Sequence, residues 1–500
     1  MTTPATSTII RGGRVLDIAR RRADTADVLV ENGTIREIGP PGLAAPTEAR
    51  LFDARDHLLI PGLVNAHTHG HGGLSRGLIP DRAPLELLLT VSGAVNGNRS
   101  VEDKYLTAQL SAIELVRKGC TACYDLNVEY PLPTVDGIQA AARAYRDVGI
   151  RAVIAPMMAD RTLWEALPGL VEALPETVRR QVEKIRTAPW PASVEACREI
   201  LRTWPFDRAS LLPALGPTIP LHCSDEFLVA CRDLARDFDV GIQTHLAESK
   251  SQAVLGLRKY GTTLTAHLDA LGLVGPRFSG AHGVWLNRED VRRLAGAGAS
   301  VAHNPLSNLR LGSGVAPARM MLEGGLTVGI GTDSAASSDT QNMFEGIRLA
   351  AYLSRVRSLD HRRWLSAEDA LTMATEGSAR VLGMANHIGR LAPGFKADIT
   401  FLDLTSTAFV PLNNALLQIV NSESAGAVDS VMIDGRLVLE RRRLTTVDEG
   451  RVRAQAEAAA ARLREANAEA IRAARALEEY VGAFCLSQVR ESYDLMEERP

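Results

Sequence analysis

Short apolar runs and turn residues alternate between residues 7 and 58: TIIRGGRVLD, then ADVLVENGTIREIG, then HLLIPG. The Glu-Asn-Gly-Thr step between two alternating runs marks a hairpin, so this stretch predicts short antiparallel strands. From about residue 59 the rhythm changes. Apolar runs suited to buried parallel strands now alternate with helix-length segments. The runs are GLVNAHTH (62–69), GCTACYDL (119–126), RAVIAPMM (151–158), LLPALGP (211–217), VGIQTHLAE (240–248), FSGAHG (278–283), ASVAHNP (299–305) and LTVGIGTD (326–333). Eight such strands with helices between them predict a (β/α)8 barrel. After about 385 the β-rich pattern returns in GRLAPGFKADITFLDL and DSVMIDGRLVLERRRL. The expected organisation is a small sheet domain built from residues 1–58 and 385–445, a barrel over 59–384, and a helical Ala, Glu and Arg rich tail over 446–500. The tail reads as a solvated helix or a subunit contact rather than a source of catalytic groups.

At 500 residues the chain is long enough for a large domain with a smaller satellite. Its 56 basic and 59 acidic residues nearly balance, at a net charge of -3. That leaves no electrostatic footprint for nucleic acid or an anionic membrane. The expected partners are a small-molecule substrate and further copies of the chain, as a homodimer or higher oligomer, with no nucleic acid and no membrane. With no basic start and apolar run, and no segment long enough to span a bilayer, the expected location is the cytoplasm. Six scattered cysteines fit reduced thiols there. Cys120 and Cys123 have the spacing of a redox or zinc motif, but they lie inside a strand-like apolar run and read as core.

The candidate chemistry sits at the ends of the predicted strands, where barrel enzymes keep their sites. The first strand ends in His67-Thr68-His69, and residues i and i+2 of a strand face the same side. His245 ends the fifth strand, His282 the sixth and Asp333 the eighth. Imidazoles with a carboxylate suit zinc or a similar borderline divalent metal with a position open to water. His303 and Asn304 end the seventh strand, as pocket lining or as packing around Pro305. His222 follows the fourth strand and faces either way, while His57 and His71 have no matched role. The glycine-rich LRLGSG lacks the Lys-Ser/Thr of a phosphate loop.

In these segments (PGLVNAHTHGHGG, HLAES, AHGVWL, HNPLSNLRLGSG, GTDSAASSDTQNMFEGIRLA and GRLAPGFKADITFLDL) the chain resembles the amidohydrolase superfamily. The similarity is to its cytosine deaminase-like branch, which holds guanine, adenosine-type and pterin deaminases and s-triazine hydrolases. It covers roughly residues 8–445 in order. The resemblance implies a distorted (β/α)8 TIM barrel with a small β-sandwich domain formed by both chain ends. By position it also implies His67, His69, His245 and Asp333 as ligands to one divalent ion, zinc first, with Fe2+ or Mn2+ as alternatives. Binuclear relatives carry a modified lysine on strand four, and LLPALGP has none. The catalytic residues implied are Glu248, His282 and Asp333: Glu248 protonates a ring nitrogen, His282 orients or shuttles protons, and Asp333 takes a proton from the attacking water.

Two segments depart from the adenosine-type pattern. Thr218 stands where those deaminases carry a histidine after strand four, and Asn96 lies nearest to the position of their ribose-binding glutamate. Ser334 also follows Asp333 where a glycine is common. The expected activity is hydrolytic deamination of a non-nucleoside nitrogen heterocycle, with Asn96, Thr218, His303 and Asn304 as candidate substrate contacts. One alternative is hydrolysis of an exocyclic amine, halide, urea or amide bond in a triazine-like or other xenobiotic substrate. A non-catalytic barrel serving assembly is a third reading, disfavoured because none of the ligand positions is lost.

Overall fold

In a computed structural model the described residues run from 7 to 493. Residues 1–6 and 494–500, at the outer ends of the expected sheet domain and tail, lie outside them. The chain begins with β1 (Ser7–Asp17), β2 (Arg22–Glu31), β3 (Thr34–Gly39), β4 (Arg50–Asp53) and β5 (His57–Pro61). Asn32 and Gly33 form the β2–β3 turn, both with positive φ as the Asn-Gly signal requires. A second group of strands comes from the other end: β15 (Ile399–Asp403), β16 (Val428–Ile433), β17 (Arg436–Glu440) and β18 (Arg443–Leu444). The two groups join through β5 and β15, giving one nine-stranded sheet in the order β18-β17-β16-β15-β5-β1-β2-β3 with β4 on β1.

Between them runs the barrel: β6 (Leu63–His69), β7 (Cys120–Val128), β8 (Arg151–Met158), β9 (Leu211–Pro217), β10 (Gly241–Leu246), β11 (Phe278–His282), β12 (Ser300–His303), β13 (Thr327–Ile330) and β14 (Asp333–Ser334). From β6 to β13, neighbours in this order pair in parallel. The predicted eighth strand is split in two. β13 pairs with β12, the chain kinks at Gly331-Thr332, and β14 pairs with β6 to close the circle. Gly331 is needed at the kink, because a Cβ there would collide with Asn304 Oδ1 and the His67 carbonyl.

Alternate residues of the strands fill the interior, among them Val64, Ala66, Ala122, Tyr124, Val153, Ala155, Ala214 and Ala302. Ala379, Leu382, Met384 and Ile388 join the same cluster. The barrel is thus a packed core with room only at its ends. Cys120 and Cys123 are fully buried and unbridged, and burial pushes both thiols up. The tail forms two helices, Glu449–Arg475 and Glu478–Val489, and they are not free in solvent. Ile471 and Ala474 pack against Val91 and Val95 of the helix Leu85–Val95, which flanks the catalytic end of the barrel. Arg462 also binds Asp103. No helix among the described residues is long and apolar enough to cross a membrane.

Candidate metal centre and active site

Four imidazoles and two carboxylates from four different barrel strands meet at the C-terminal end of the barrel. His67, His69 and His245 bring ring nitrogens within 4.8 Å of one another, and so do His67 and His282 with a carboxylate oxygen of Asp333. All lie at or just past strand ends, and His282 and Asp333 adopt positive φ of 74° and 60°. Non-glycine residues in that region are uncommon and cluster at functional sites.

The orientation of each ring is fixed from behind. His69 Nδ1–H donates to the Leu126 carbonyl at 2.7 Å, and His245 Nδ1–H to the Thr218 carbonyl at 2.6 Å. His67 Nδ1 meets Gln243 Oε1 at 2.7 Å, and His282 Nδ1 meets Asn308 Oδ1 at 2.9 Å. Carbonyl oxygens only accept, so a proton is held on each Nδ1; the Nε2 of a neutral ring turns a lone pair inward, while that of a protonated ring can donate to Asp333. His69 Nε2 and His245 Nε2 then face each other at 3.2 Å. Asp333 Oδ1 lies 3.1 Å from His69 Nε2 and 3.6 Å from His67 Nε2. Converging lone pairs and a carboxylate oxygen repel one another unless a cation lies among them. A tetrahedral shell with bonds of 2.0–2.1 Å has ligand–ligand edges of roughly 3.3–3.4 Å, which these separations bracket. His67 Nε2 is buried with no hydrogen-bond partner among the described residues. The donor set therefore fits a borderline divalent metal such as zinc.

Around this cluster the electrostatics divide the two carboxylates. Burial works against the charged form of Asp333, but the His67 and His69 contacts hold its pKa well below the usual range, and its Oδ2 accepts from Ser307 at 2.5 Å. Glu248 is driven the other way. It is 1% exposed, and burial, the charge of Asp333 and nearby Glu86 together push its pKa well above the ordinary value. Glu248 Oε2 has no hydrogen-bond partner among the described residues and lies 3.7 Å from His282 Nε2. Burial lowers His282 to about 3, so that ring is neutral. Two carboxyl groups pushed apart in this way can serve as base and acid at one pH.

Of the sequence-predicted contacts, Asn96 and Thr218 line the small cavity of about 70 Å³ at this cluster, with His69, His245, Glu248 and Asp333. His303 and Asn304 do not line it. His303 borders a separate cavity of about 540 Å³, and Asn304 packs beside Gly331 and His67. His71, set aside from sequence, does line the small cavity, its ring 5.1 Å from that of His69. Glu86 was also missed. It is buried behind the wall and accepts from Ser249, the neighbour of Glu248, at 2.6 Å. Gln243 was within reach of sequence reasoning, since it precedes His245 by two residues in one strand and shares its face. Ser307 and Asn308 gave no such signal, because they belong to a turn of helix after β12 whose direction is set by tertiary packing.

A parallel barrel closed around a buried imidazole–carboxylate centre is the architecture of a metal-assisted hydrolase. A sequence model of the amidohydrolase family matches residues 58–438, and the chain belongs to that family. It is 33% identical over 438 residues to a 5-methylthioadenosine/S-adenosylhomocysteine deaminase of Syntrophomonas wolfei, an alignment covering 87% of this chain and 94% of that one. Among solved structures it is similar to a zinc-bound adenosine deaminase from Xanthomonas campestris, with a TM-score of 0.81 and 28% identity over 92% of this chain and 99% of that one. It is equally similar to a zinc-complexed atrazine chlorohydrolase from Arthrobacter aurescens, with a TM-score of 0.79 and 28% identity over 91% and 100% of the two chains.

Proposed function

We propose that the chain is an aminohydrolase that replaces the amino group of a nitrogen heterocycle by oxygen, using one divalent ion, zinc first, held by His67, His69, His245 and Asp333. The observation that carries this is the pairing of inward-facing Nε2 atoms with a buried Glu248 beside them, whose Oε2 has no hydrogen-bond partner among the described residues and whose pKa is raised by burial. A bound cation supplies Lewis acidity that makes a ligand water acidic near neutral pH. The protein's own groups do the rest. Asp333 Oδ1, kept ionised, accepts a proton from water. Glu248 holds a proton for the substrate's ring nitrogen, which makes the amino-bearing carbon electrophilic. Neutral His282 stands beside Glu248 and is oriented by Asn308. Water adds its oxygen to carbon, the amino group leaves as ammonia with the transferred protons, and the ring carbonyl forms.

The ring in question is read as one without ribose, although relatives carry adenosine-type names. Asn96 Oδ1 accepts from Ser75 and its Nδ2 donates to Ser92, so its amide is already committed. A ribose hydroxyl left unpaired in such a site costs about 1–3 kcal/mol. The likeness to an atrazine chlorohydrolase favours a second reading, in which the same residues expel a different leaving group. Ammonia release from a panel of amino-substituted purines, pyrimidines and triazines, beside chloride or amine release from matched analogues, tests both. Ammonia from at least one member supports deamination. Release of only the other groups replaces it with the second reading.

The same proposal places the enzyme in the cytoplasm, supported by six unbridged cysteines. It makes the enzyme a homo-oligomer, supported by exposed Tyr352, Val356 and Leu359 on one segment. It also divides the chain into residues 1–58 with 385–445, 59–384 and 446–500, supported by strands from both ends sharing one sheet.

A further inference from the structure

Next to the metal cluster, a second cavity of about 430 Å³ opens at the same end of the barrel. It lies past the ends of β7, β8 and β9, against the helix Leu85–Val95. Leu89, Ser92, Met157, Thr218 and Ile219 line both cavities, so the two adjoin across these side chains. The inner part holds about 70 Å³, while a water takes roughly 30 Å³ of liquid volume. It has room for a reacting edge and little else. The outer chamber has the size and make-up of a small-molecule site, mostly apolar with few polar groups. Its walls include Pro131, Met158, Leu163, Trp164 and Ile185.

His222 is one of several polar residues in this lining, beside Glu129, Arg161 and Arg186. It is 8% exposed, it lines this chamber and not the metal pocket, and its ring makes no hydrogen bond to another described residue. Burial lowers it to about 4, so it stands there neutral, with one donor and one acceptor nitrogen. Its ring nitrogens keep some accessible surface, so a ligand atom in the chamber can replace water on them.

We propose that this chamber is the subsite for a bulky, largely apolar, ring-like substituent carried by the reacting heterocycle, with His222 making a hydrogen bond to a polar atom on that substituent. The proposal rests on the aminohydrolase reading only for the placement of the reacting ring. Arg161 at the chamber's edge offers a competing recognition, for an anionic substituent.

The test uses full-length zinc-loaded protein with aminopurine, aminopyrimidine and aminotriazine probes, each bearing a methyl, benzyl, 4-hydroxybenzyl or 4-carboxybenzyl group. Binding is read by calorimetry and turnover by ammonia release. In at least one ring series, the benzyl member should bind about 10-fold or more tighter than the methyl member, by burial of its ring. The hydroxybenzyl member should gain a further severalfold. Ala159→Trp, which fills the chamber wall away from the metal pocket, should bring the benzyl-to-methyl ratio to about one. His222→Phe keeps an aromatic ring and should erase only the hydroxybenzyl gain. Metal content and melting temperature report whether each variant is folded. Equal binding of methyl and benzyl members, or no binding by any benzyl member, overturns the subsite. Tighter binding of the carboxybenzyl members overturns it in favour of Arg161. Benzyl-selective binding without ammonia release leaves the subsite standing and sinks the deaminase reading. Ammonia released equally from methyl and benzyl members does the reverse.

Discussion

Replacing Gln243 by methionine tests whether the protons really sit on the outer nitrogens of the metal-facing histidines. Gln243 is fully buried in β10. Its Oε1 accepts from His67 Nδ1 at 2.7 Å, while its Nε2 donates to the Ala66 carbonyl at 3.1 Å and to Ser279 Oγ at 2.9 Å. Methionine keeps the length of the side chain and removes all three bonds. Loss of the acceptor behind a metal-binding imidazole weakens metal binding by about 10–100-fold, which is about 1.4–2.8 kcal/mol. Three buried polar groups also lose a partner, and at about 1 kcal/mol each the metal-free fold should weaken by about 3 kcal/mol. The two effects separate by assay: chelator competition at buffered free zinc gives the affinity, and urea unfolding of the stripped protein gives the stability. Gln243→Glu keeps the acceptor but not the donors, so it should recover most of the affinity and little of the stability. Zinc affinity within twofold of wild type in Gln243→Met would refute the assignment of His67 Nε2 as an inward lone pair.

Glu248→Gln should keep fold and metal, since the amide is isosteric, while kcat falls by about 10²-fold or more because an amide cannot donate and recover the proton; near-normal kcat would make Glu248 a bystander. The acid form of Glu248 persists above its ordinary range, so wild-type kcat should fall as pH rises through that raised pKa, a limb that Glu248→Gln should lack. Although burial opposes it, the Arg11 bond and the Gly12, Gly42 and Leu43 amides hold the Asp27 carboxyl below its usual value. Its stabilisation is therefore present above the unfolded carboxyl pKa of about 3.9 and lost as pH falls through the folded one. Asp27→Asn should lower stability by about 1–3 kcal/mol at pH 7, and an unchanged urea midpoint would contradict this. Ile471→Ala should loosen the tail's grip on the helix that walls the metal pocket, costing about 1–2 kcal/mol at this half-buried site. KM should rise severalfold with kcat held within about twofold, and unchanged KM would return the tail to a purely structural role.

The barrel was legible because its strands are buried on both faces. RAVIAPMM and LLPALGP coincide with β8 and β9 residue for residue. The split of the last strand was not legible, since LTVGIGTD reads as one apolar run and only the packing of Gly331 on Asn304 and His67 forces the kink. Strand-end periodicity brought out His67, His69, His245, His282 and Asp333, which the structure gathers at one end of the barrel. It could not show which histidines use Nε2, because that depends on acceptors distant in sequence, such as Leu126 O behind His69. His71 looked incidental because the turn after β6, Gly70–Gly72, folds it back into the cavity. His303 misled for the opposite reason. It ends β12 as the ligands end their strands, yet it faces a different cavity.

The proposed hydrolase activity depends on one cation held at His67, His69, His245 and Asp333. The direct measurement is to strip the purified protein with a chelator, titrate zinc back, and follow ammonia release from a responsive amino-heterocycle. Activity should be absent at the start, rise in proportion to added zinc, and level off at one equivalent per chain. Activity in the stripped protein, or a rise that continues to two equivalents, would contradict the account.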